Sequence, residues 1–196
     1  MKFCSACGAP VVQRVPPGDD RERAVCERCS AIHYENPRAV VGCLVEHRGA
    51  LLLCRRAIQP QRGLWTPPAG FLELGETLAQ GAARETREEA CAAVREMRLA
   101  MLFDLPAIGQ TYAMFASQLD GESYGAGPES EEVALFEADA LPWDELAFPV
   151  LRIALELFLD DRAQGRARLH LGALEWERGR GFDYDSCRLV DHRAQG

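Results

Sequence analysis

Three glutamates, Glu85, Glu88 and Glu89, are the residues whose types and spacing point most directly to chemistry. On a helix at about 100° per residue they fall on one face. The adjacent face is built from small, mainly apolar residues, namely Ala79, Ala82, Ala83, Thr86 and Ala90. Carboxylates crowded in this way repel one another and weaken an isolated helix. Because a hard divalent cation binds several carboxylate oxygens and bridges them to phosphate, the pattern indicates a magnesium site for phosphate chemistry.

The loop in front of this helix carries two more acids, Glu73 and Glu76, and begins at Gly70. Thr77 and Gln80 fit a capping box, so the helix is expected to begin near Thr77. A charged helix face is usually solvated surface. The glycine- and proline-rich loop with its own acids is what favours a metal site here.

Gly81 lies close to the acidic face, where a glycine costs a helix about 1 kcal/mol relative to alanine. Two explanations are open at this point. The missing side chain leaves room for a metal or a phosphate, or the helix simply tolerates the cost.

The loop and helix together resemble the Nudix box, which is a glycine, five residues, a glutamate, seven residues and then Arg-Glu-hydrophobic-x-Glu-Glu-x-Gly-hydrophobic. The positions matched at the required spacing are Gly70, Glu76, Arg84, Glu85, Glu88 and Glu89. The resemblance implies an α/β (α+β) fold, the α/β/α sandwich with a mixed sheet. Two positions depart from the pattern: Thr86 replaces a hydrophobic residue, and Cys91 replaces the closing glycine. A left-handed helix cap is less favourable for cysteine, so the end of the helix stays open at this point, and residues 92–94 could extend it.

The resemblance also assigns roles to these residues. The ligands it implies for Mg²⁺, or Mn²⁺, are Glu85, Glu88, Glu89, Glu73 and the Gly70 carbonyl. Glu76 and Arg84 are expected to pair and to brace the loop against the helix. The reaction implied is attack of water on a phosphorus of a diphosphate bridge, for which a general base is needed. The Gly/Pro-rich loop at 125–132 offers Glu132 or Glu131 for that task, with solvated acids as the alternative.

Four of the eight cysteines form two close pairs, Cys4 with Cys7 and Cys26 with Cys29, and eighteen residues separate the pairs. This spacing is typical of a four-thiolate zinc site. Four thiolates leave no open coordination position, so the zinc is expected to be structural. The sequence therefore predicts a small zinc ribbon in front of the main domain.

The substrate is indicated by finer resemblances. Pro68-Ala69-Gly70, the position of Pro106 and the preceding ribbon are similar to ADP-ribose and FAD pyrophosphatases, which release AMP with ribose 5-phosphate or FMN. The residues able to meet phosphates or an aromatic base are Arg55, Arg56, Trp65 and Tyr112. Packing or solvation is the more frequent role for each of these residue types.

Two rival functions are considered. NADH pyrophosphatases and RNA-decapping Nudix enzymes also carry a zinc ribbon, but their Ser-Gln-Pro-Trp-Pro-Phe-Pro signature is absent from this sequence. A regulator could instead keep the fold to sense a nucleotide. The survival of all three helix acids favours an enzyme. By resemblance to ADP-ribose hydrolases, a homodimer is expected.

Composition sets the remaining limits. The 196 residues are 47% hydrophobic and 27% charged, as in a soluble globular protein, and no apolar run approaches a membrane span. A net charge of −8 argues against a general nucleic-acid binder. A small-molecule nucleotide is the expected partner, and the cytoplasm is the expected location because the N-terminus lacks an apolar signal region.

The elements that must position these groups follow from periodicity. Domains are predicted at 1–35 (ribbon) and 36–165 (Nudix), with a C-terminal extension at 166–196 whose fold is left open. A hairpin is expected at 39–55, with later strands near 98–103, 111–119 and 133–136. A last helix is predicted from Pro149 to Gln164, with Gly165 beyond its end.

Overall fold

The computed structural model describes residues 1–176 and 187–196, and the chain forms two compact units, Met1–Asn36 and Pro37–Gly196. The first unit is a three-stranded antiparallel sheet. Its strands are β1 (Val11–Arg14), β2 (Arg23–Cys26) and β3 (Ile32–His33). Both cysteine pairs lie in this unit, so its small sheet is the scaffold for the thiolates.

The second unit is built on one large mixed sheet. Its longer strands are β4 (Arg38–His47), β5 (Ala50–Arg56), β8 (Ala93–Leu105), β9 (Gln110–Asp120), β10 (Ser130–Phe136), β11 (Leu169–Trp176) and β12 (Cys187–Gln195). The strand order is β10-β5-β4-β9-β8-β11-β12. The β4–β9 and β8–β11 pairs are parallel, and the other neighbours are antiparallel. The α+β architecture with a mixed sheet is thus confirmed.

The two strands of the predicted hairpin diverge away from their turn. β4 and β5 are joined by a turn in which Arg48 and Gly49 both have positive φ, as a tight hairpin turn requires. The two strands pair directly only next to this turn. Farther along, β6 (Trp65–Thr66) pairs with β5 and β7 (Ala69–Phe71) pairs with β4. The divergence of β4 and β5 therefore lets β7, where the acidic loop starts, join the sheet.

The acid-bearing helix α1 spans Leu78–Ala90 and begins with the expected capping box between Thr77 and Gln80. The helix does not extend into residues 92–94, because Cys91 takes the left-handed conformation with φ 48° and ψ 31° and ends it. β8 then starts at Ala93. The strained cap is retained although cysteine lacks the conformational freedom of glycine.

Helices cover both faces of the sheet. Val41, Cys43 and Val45 of β4 face the α1 side, where they pack with Ala82 and Ala90. Alternate residues of β4 face the other side, where α2 (Pro149–Ala163) contributes Val150, Leu151 and Leu155 to a second core. The α/β/α sandwich is the result. α2 ends one residue short of the predicted Gln164, which is its C-cap.

Two features of the sheet exceed the sequence expectations. β8 is longer than the predicted 98–103. The prediction was too short because register shifts between Arg95 and Arg98 and between Leu99 and Met101 interrupt the alternation of residues by which a strand is detected in a sequence. The segment after α2, whose fold was left open, supplies β11 beside β8 and β12 at the sheet edge. Within the described residues, no helix is both long and apolar enough to cross a membrane.

Candidate active site

The helix acids lie over β7. Glu85 and Glu89 are buried, with 9% and 6% of their surface exposed, whereas Glu88 is exposed. The Glu85 carboxylate stands directly on Gly70, where an added Cβ would lie 2.4 Å from its Oε2. Gly70 is therefore the residue that lets this carboxylate approach the β7 backbone.

Glu89 is held on the same strand. The backbone N–H of Ala69 donates to its Oε2 at 2.9 Å. Burial raises the pKa of Glu89 to about 7, and the charges of Glu85 and Glu129 add to the increase, while the Ala69 bond and Arg56 oppose it. Burial likewise raises the pKa of Glu85. The acids form an electrostatically stressed cluster that a cation would relieve.

Arg84 connects the helix to the loop. Its Nε and Nη2 donate to the two Glu76 oxygens at 3.0 and 2.8 Å, and Nη2 also donates to the Phe71 carbonyl at 3.0 Å. Nη1 donates to Glu85 at 2.8 Å and to Glu88 at 2.9 Å. The Arg84 bonds, with one from the Glu73 N–H, lower the pKa of Glu76 to about 2.

The space beside Gly81 is filled. A Cβ there would meet Glu76 Oε1 at 2.8 Å and the side chains of Leu72 and Val41 at 2.9 Å. The explanation that Gly81 leaves room for a metal or a phosphate is therefore wrong. The glycine instead allows the helix to approach the loop and β4 closely.

The three acids of the predicted loop at 125–132 differ in the groups on which they act. Glu131 pairs with Arg62 at 2.9 Å, and Glu132 lies 3.9 Å from Arg55. Glu129 is the loop acid whose charge acts on both Glu85 and Glu89. Sequence reasoning passed over it because three acids share this short loop.

The candidate substrate residues separate into two groups. Trp65 is core, with its ring edge on Phe136 at 4.9 Å between centroids, so burial supports packing rather than base stacking. Tyr112 is also in the core, where burial raises its pKa to about 12. Arg55 is partly exposed and bonds the Gly63 carbonyl.

Arg56 differs from these residues. It is 9% exposed, lies 5.1 Å above the Phe148 ring and donates through Nε to the Pro60 carbonyl. Neither of its terminal nitrogens has a hydrogen-bond partner within the described part of the chain. Its charge acts on Glu89 and on Tyr112. A buried cation with free donors beside the acids is suited to an anionic ligand.

The acid cluster has the donor set that Mg²⁺ prefers. Its carboxylate oxygens are hard ligands. Two of the carboxylates are buried, and Arg84 and Arg56 are the cations that offset their charge. Glu85 and Glu88 are both engaged by Arg84. Binding of a metal by these two groups therefore competes with the Arg84 contacts.

The cysteine site is already arranged for its ion. Cys4 and Cys29 have their sulfurs 3.6 Å apart, and those of Cys7 and Cys26 are 3.5 Å apart. Sulfurs at the corners of a zinc tetrahedron stand about 3.8 Å apart. A hydrogen bond from the Cys29 backbone is the main influence that lowers the pKa of Cys26 to about 6, whereas contacts with the other three thiols raise the pKa of Cys29 against a backbone bond at Ala31. Among the residues that the structure describes, these four are the one group of His, Cys, Asp or Glu with all ligand atoms within 4.8 Å.

Comparisons with known proteins agree with this geometry. A family model described as "NUDIX domain" matches residues 35–157, and one described as "Nudix N-terminal", a zinc ribbon, matches residues 2–35. The chain belongs to the Nudix family. Nudix enzymes use Mg²⁺ or Mn²⁺, and the donor set of the acid cluster fits such a cation.

Individual relatives are more specific. The NAD-capped RNA hydrolase NudC of Photobacterium profundum is 33% identical over 134 residues, which are 68% of this chain and 48% of that protein. The chain spans between 48% and 62% of the length of the first curated relatives that it matches.

Among solved structures, a Nudix hydrolase from Nitrosomonas europaea has a TM-score of 0.85 and 48% identity, covering 88% of this chain and 98% of that one. A bifunctional NMN adenylyltransferase/ADP-ribose pyrophosphatase from Francisella tularensis has a TM-score of 0.54 and 22% identity. It covers 65% of this chain and 42% of that one, and supports the fold alone.

Proposed function

We propose that this Nudix hydrolase is a Mg²⁺-dependent pyrophosphatase that cleaves the diphosphate bridge of ADP-ribose or FAD. The observation that carries the proposal is the buried acid pair, Glu85 and Glu89, set against β7 beside the buried cation Arg56. In this proposal the two glutamates bind the metal, and Arg56 binds a phosphate of the substrate. The Pro68-Ala69-Gly70 sequence supports the choice of substrate class.

The residues proposed to hold the metal are Glu85, Glu88 and Glu89, with Glu73 and the Gly70 carbonyl completing the set. Bound Mg²⁺ would lower the pKa of a coordinated water and neutralise charge on the phosphate oxygens. Arg84 orients Glu85 through its bond at 2.8 Å, while its own position is fixed by Glu76. Orientation of ligands by such partners is a recurrent feature of metal sites.

Glu129 is the proposed general base, in place of Glu131 or Glu132. Those two acids pair with Arg62 and Arg55 at the surface, whereas the charge of Glu129 helps to raise the pKa of Glu85 and Glu89. A carboxylate in this position accepts the proton of the attacking water. General base catalysis contributes about 10²–10⁴-fold to rates, so Glu129→Gln is expected to lose activity in that range.

A second candidate, hydrolysis of NADH or of NAD-capped RNA, is favoured by one observation. The first curated relatives are described as NAD-capped RNA hydrolases, and the first two match 68% and 85% of this chain. All of these substrates share an adenosine diphosphate bridge, which the same acids would cleave. Discrimination among these substrates must therefore depend on the group that each carries on the far side of the diphosphate from adenosine.

Product analysis tests the function. The protein is incubated with Mg²⁺ and, separately, ADP-ribose, FAD, NADH and an NAD-capped RNA, and the products are identified by mass spectrometry. Release of AMP with ribose 5-phosphate or FMN supports the proposal, and loss of this activity in Glu89→Gln but not in the exposed-surface control Glu137→Gln assigns it to the cluster. Preferential cleavage of NADH or capped RNA supports the second candidate. Tight nucleotide binding without turnover supports a sensor instead.

Two wider expectations remain proposals. We propose a homodimer in which the ribbon has a structural role, to be tested by light scattering of the zinc-loaded protein. A cytoplasmic location is the second of these proposals, and cell fractionation is its test.

A further inference from the structure

The loop that carries Glu129 is docked on the end of α1 by its backbone. The N–H of Gly127 donates to the Glu89 carbonyl at 3.0 Å, and the N–H of Gly125 donates to the Ala90 carbonyl at 2.8 Å. The carbonyls in the last turn of a helix have no partner within the helix. The loop satisfies two of them on the turn that carries the metal-holding Glu88 and Glu89.

Gly127 makes the closest approach in this contact. A Cβ at residue 127 would lie 1.7 Å from the Glu88 carbonyl oxygen and 2.8 Å from its carbon. These are backbone atoms of the helix, so a side chain at this position cannot be accommodated by a change of rotamer. A Cβ at residue 125, in the same loop, would meet nothing within 4 Å.

The docked segment leads directly to Glu129. The Ser130 N–H donates to the Gly127 carbonyl at 3.1 Å, and the Ala57 N–H donates to the Glu129 carbonyl at 2.8 Å. The backbone of Glu129 is therefore fixed on one side to Gly127 and on the other to the residue after β5. Its position relative to Glu85 and Glu89 depends on the two-glycine contact with the helix.

We infer that Gly127 is a positioning residue, whose missing side chain lets the loop dock on α1 and thereby sets Glu129 against the metal-holding acids. The inference rests on the proposed role of Glu129 as general base. It joins two parts of the site, the loop and the helix, through backbone atoms alone. A displacement of about 1 Å at a catalytic group can cost on the order of 10²-fold in rate.

The test compares two Gly→Ala substitutions. Gly127→Ala forces the loop away from the helix, whereas Gly125→Ala keeps its N–H donor and occupies open space. We expect kcat of Gly127→Ala to fall by about 100-fold with KM changed little, and kcat of Gly125→Ala to stay near that of the unmodified protein. Equal losses in both variants, or none in Gly127→Ala, would overturn the inference.

Two further measurements separate positioning from misfolding. A double-mutant cycle with Glu129→Gln tests the route of the effect: if Gly127 acts through Glu129, Gly127→Ala costs little when Gln already stands at 129. Mn²⁺ binding by electron paramagnetic resonance is expected to be retained in Gly127→Ala, because the helix acids remain in place. Additive losses in the cycle, or loss of the Mn²⁺ site, would contradict the assignment.

Hydrogen exchange distinguishes failure of this inference from failure of the proposed function. The amides of residues 125–130 are expected to lose protection in Gly127→Ala but not in Gly125→Ala. This readout needs no substrate. If the unmodified protein cleaves no dinucleotide, the proposed function fails while loop docking is still measured, and unchanged protection in Gly127→Ala would refute the docking role itself.

Discussion

Arg84 binds Glu76 through two hydrogen bonds, from Nε to one carboxylate oxygen at 3.0 Å and from Nη2 to the other at 2.8 Å. The same guanidinium reaches Glu85 and Glu88 through Nη1. One planar group thus ties the loop to two of the helix acids. Lysine cannot reproduce this because its ammonium group is a single point charge without the fork.

Replacing Arg84 by lysine removes these paired hydrogen bonds. Arg84→Lys is expected to lower kcat by about 10–100-fold, the usual effect of losing a partner that orients metal ligands. Steady-state kinetics with saturating Mg²⁺ measure it. The exposed Arg87→Lys, one turn along the same helix, is the matched control. Unchanged kcat in Arg84→Lys would show that the fork does not orient the site.

Gly81→Ala separates helix propensity from packing. Propensity alone would make alanine more stable by about 1 kcal/mol. The structure predicts the reverse, because the added Cβ would contact Glu76, Leu72 and Val41 at 2.8–2.9 Å. Overpacking costs about 1–3 kcal/mol, so a net loss of free energy of unfolding is expected in urea titrations. A more stable variant would contradict the close packing.

Metal affinity should depend on pH through Glu89. Because burial and neighbouring acids raise its pKa to about 7, this group must lose a proton before it binds a metal. Mn²⁺ affinity is therefore expected to fall by about tenfold for each pH unit below 7. Without metal, the raised pKa of Glu89 stabilises the fold fully only below the unfolded value of 4.5, and that contribution is lost as pH rises to the folded pKa of about 7. Calorimetric titration near pH 6 and pH 8 is the check, and a flat dependence would argue against Glu89 as a ligand.

A partly buried network outside the active site, in which Asp161 and His170 are buried and His192 is exposed, should make stability fall in acid. His170 has Nε2 at 3.0 Å from Asp161 and Nδ1 at 2.9 Å from Nε2 of His192, and Arg168 donates to Asp161 at 2.6 Å. Burial and the charges of His170 and Arg168 lower the pKa of His192. The unfolded chain therefore binds more protons below about pH 6.5, and stability declines as pH falls from there.

The carboxylate of the network acts in the same direction. Burial alone would raise the pKa of Asp161, but the bonds from Arg168 and His170 outweigh it and lower the pKa. This adds a further loss of stability below about pH 4. Urea titrations near pH 7.5 and 5.5 are expected to show a smaller difference for His192→Asn than for the unmodified protein, with His47→Asn as control. An identical pH dependence in His192→Asn would exclude the network as its source.

Zinc is expected to be part of the folded ribbon. Removal with a strong chelator should release about one zinc per chain and unfold the Met1–Asn36 unit, because binding energy at such a site is folding energy. Zinc analysis with nuclear magnetic resonance of the ribbon amides measures both effects. Cys26→Ser should reproduce the loss, while Cys187→Ser, outside the ribbon, should not. A ribbon that stayed folded without metal would contradict this.

Local pattern in the sequence determined the helix acids, the capping box of α1 and the paired cysteines. Each depends on residues a few positions apart, so spacing alone predicts which side chains share a face or a turn. The extent of β8 was less predictable, because two register shifts interrupt its alternation. The strands after α2 gave no such pattern: β11 is defined by pairing with β8, and β12 by pairing with β11.

Only the tertiary structure decided which distant groups join the acids. Glu129 was indistinguishable from Glu131 and Glu132 until the loop docked on α1, and Arg56 differed from Arg55 only once the sheet buried it. Trp65 was assigned to the core, and the space beside Gly81 was filled, by contacts from other elements. Such choices depend on which surfaces meet when the chain folds, and residue spacing carries no information about that.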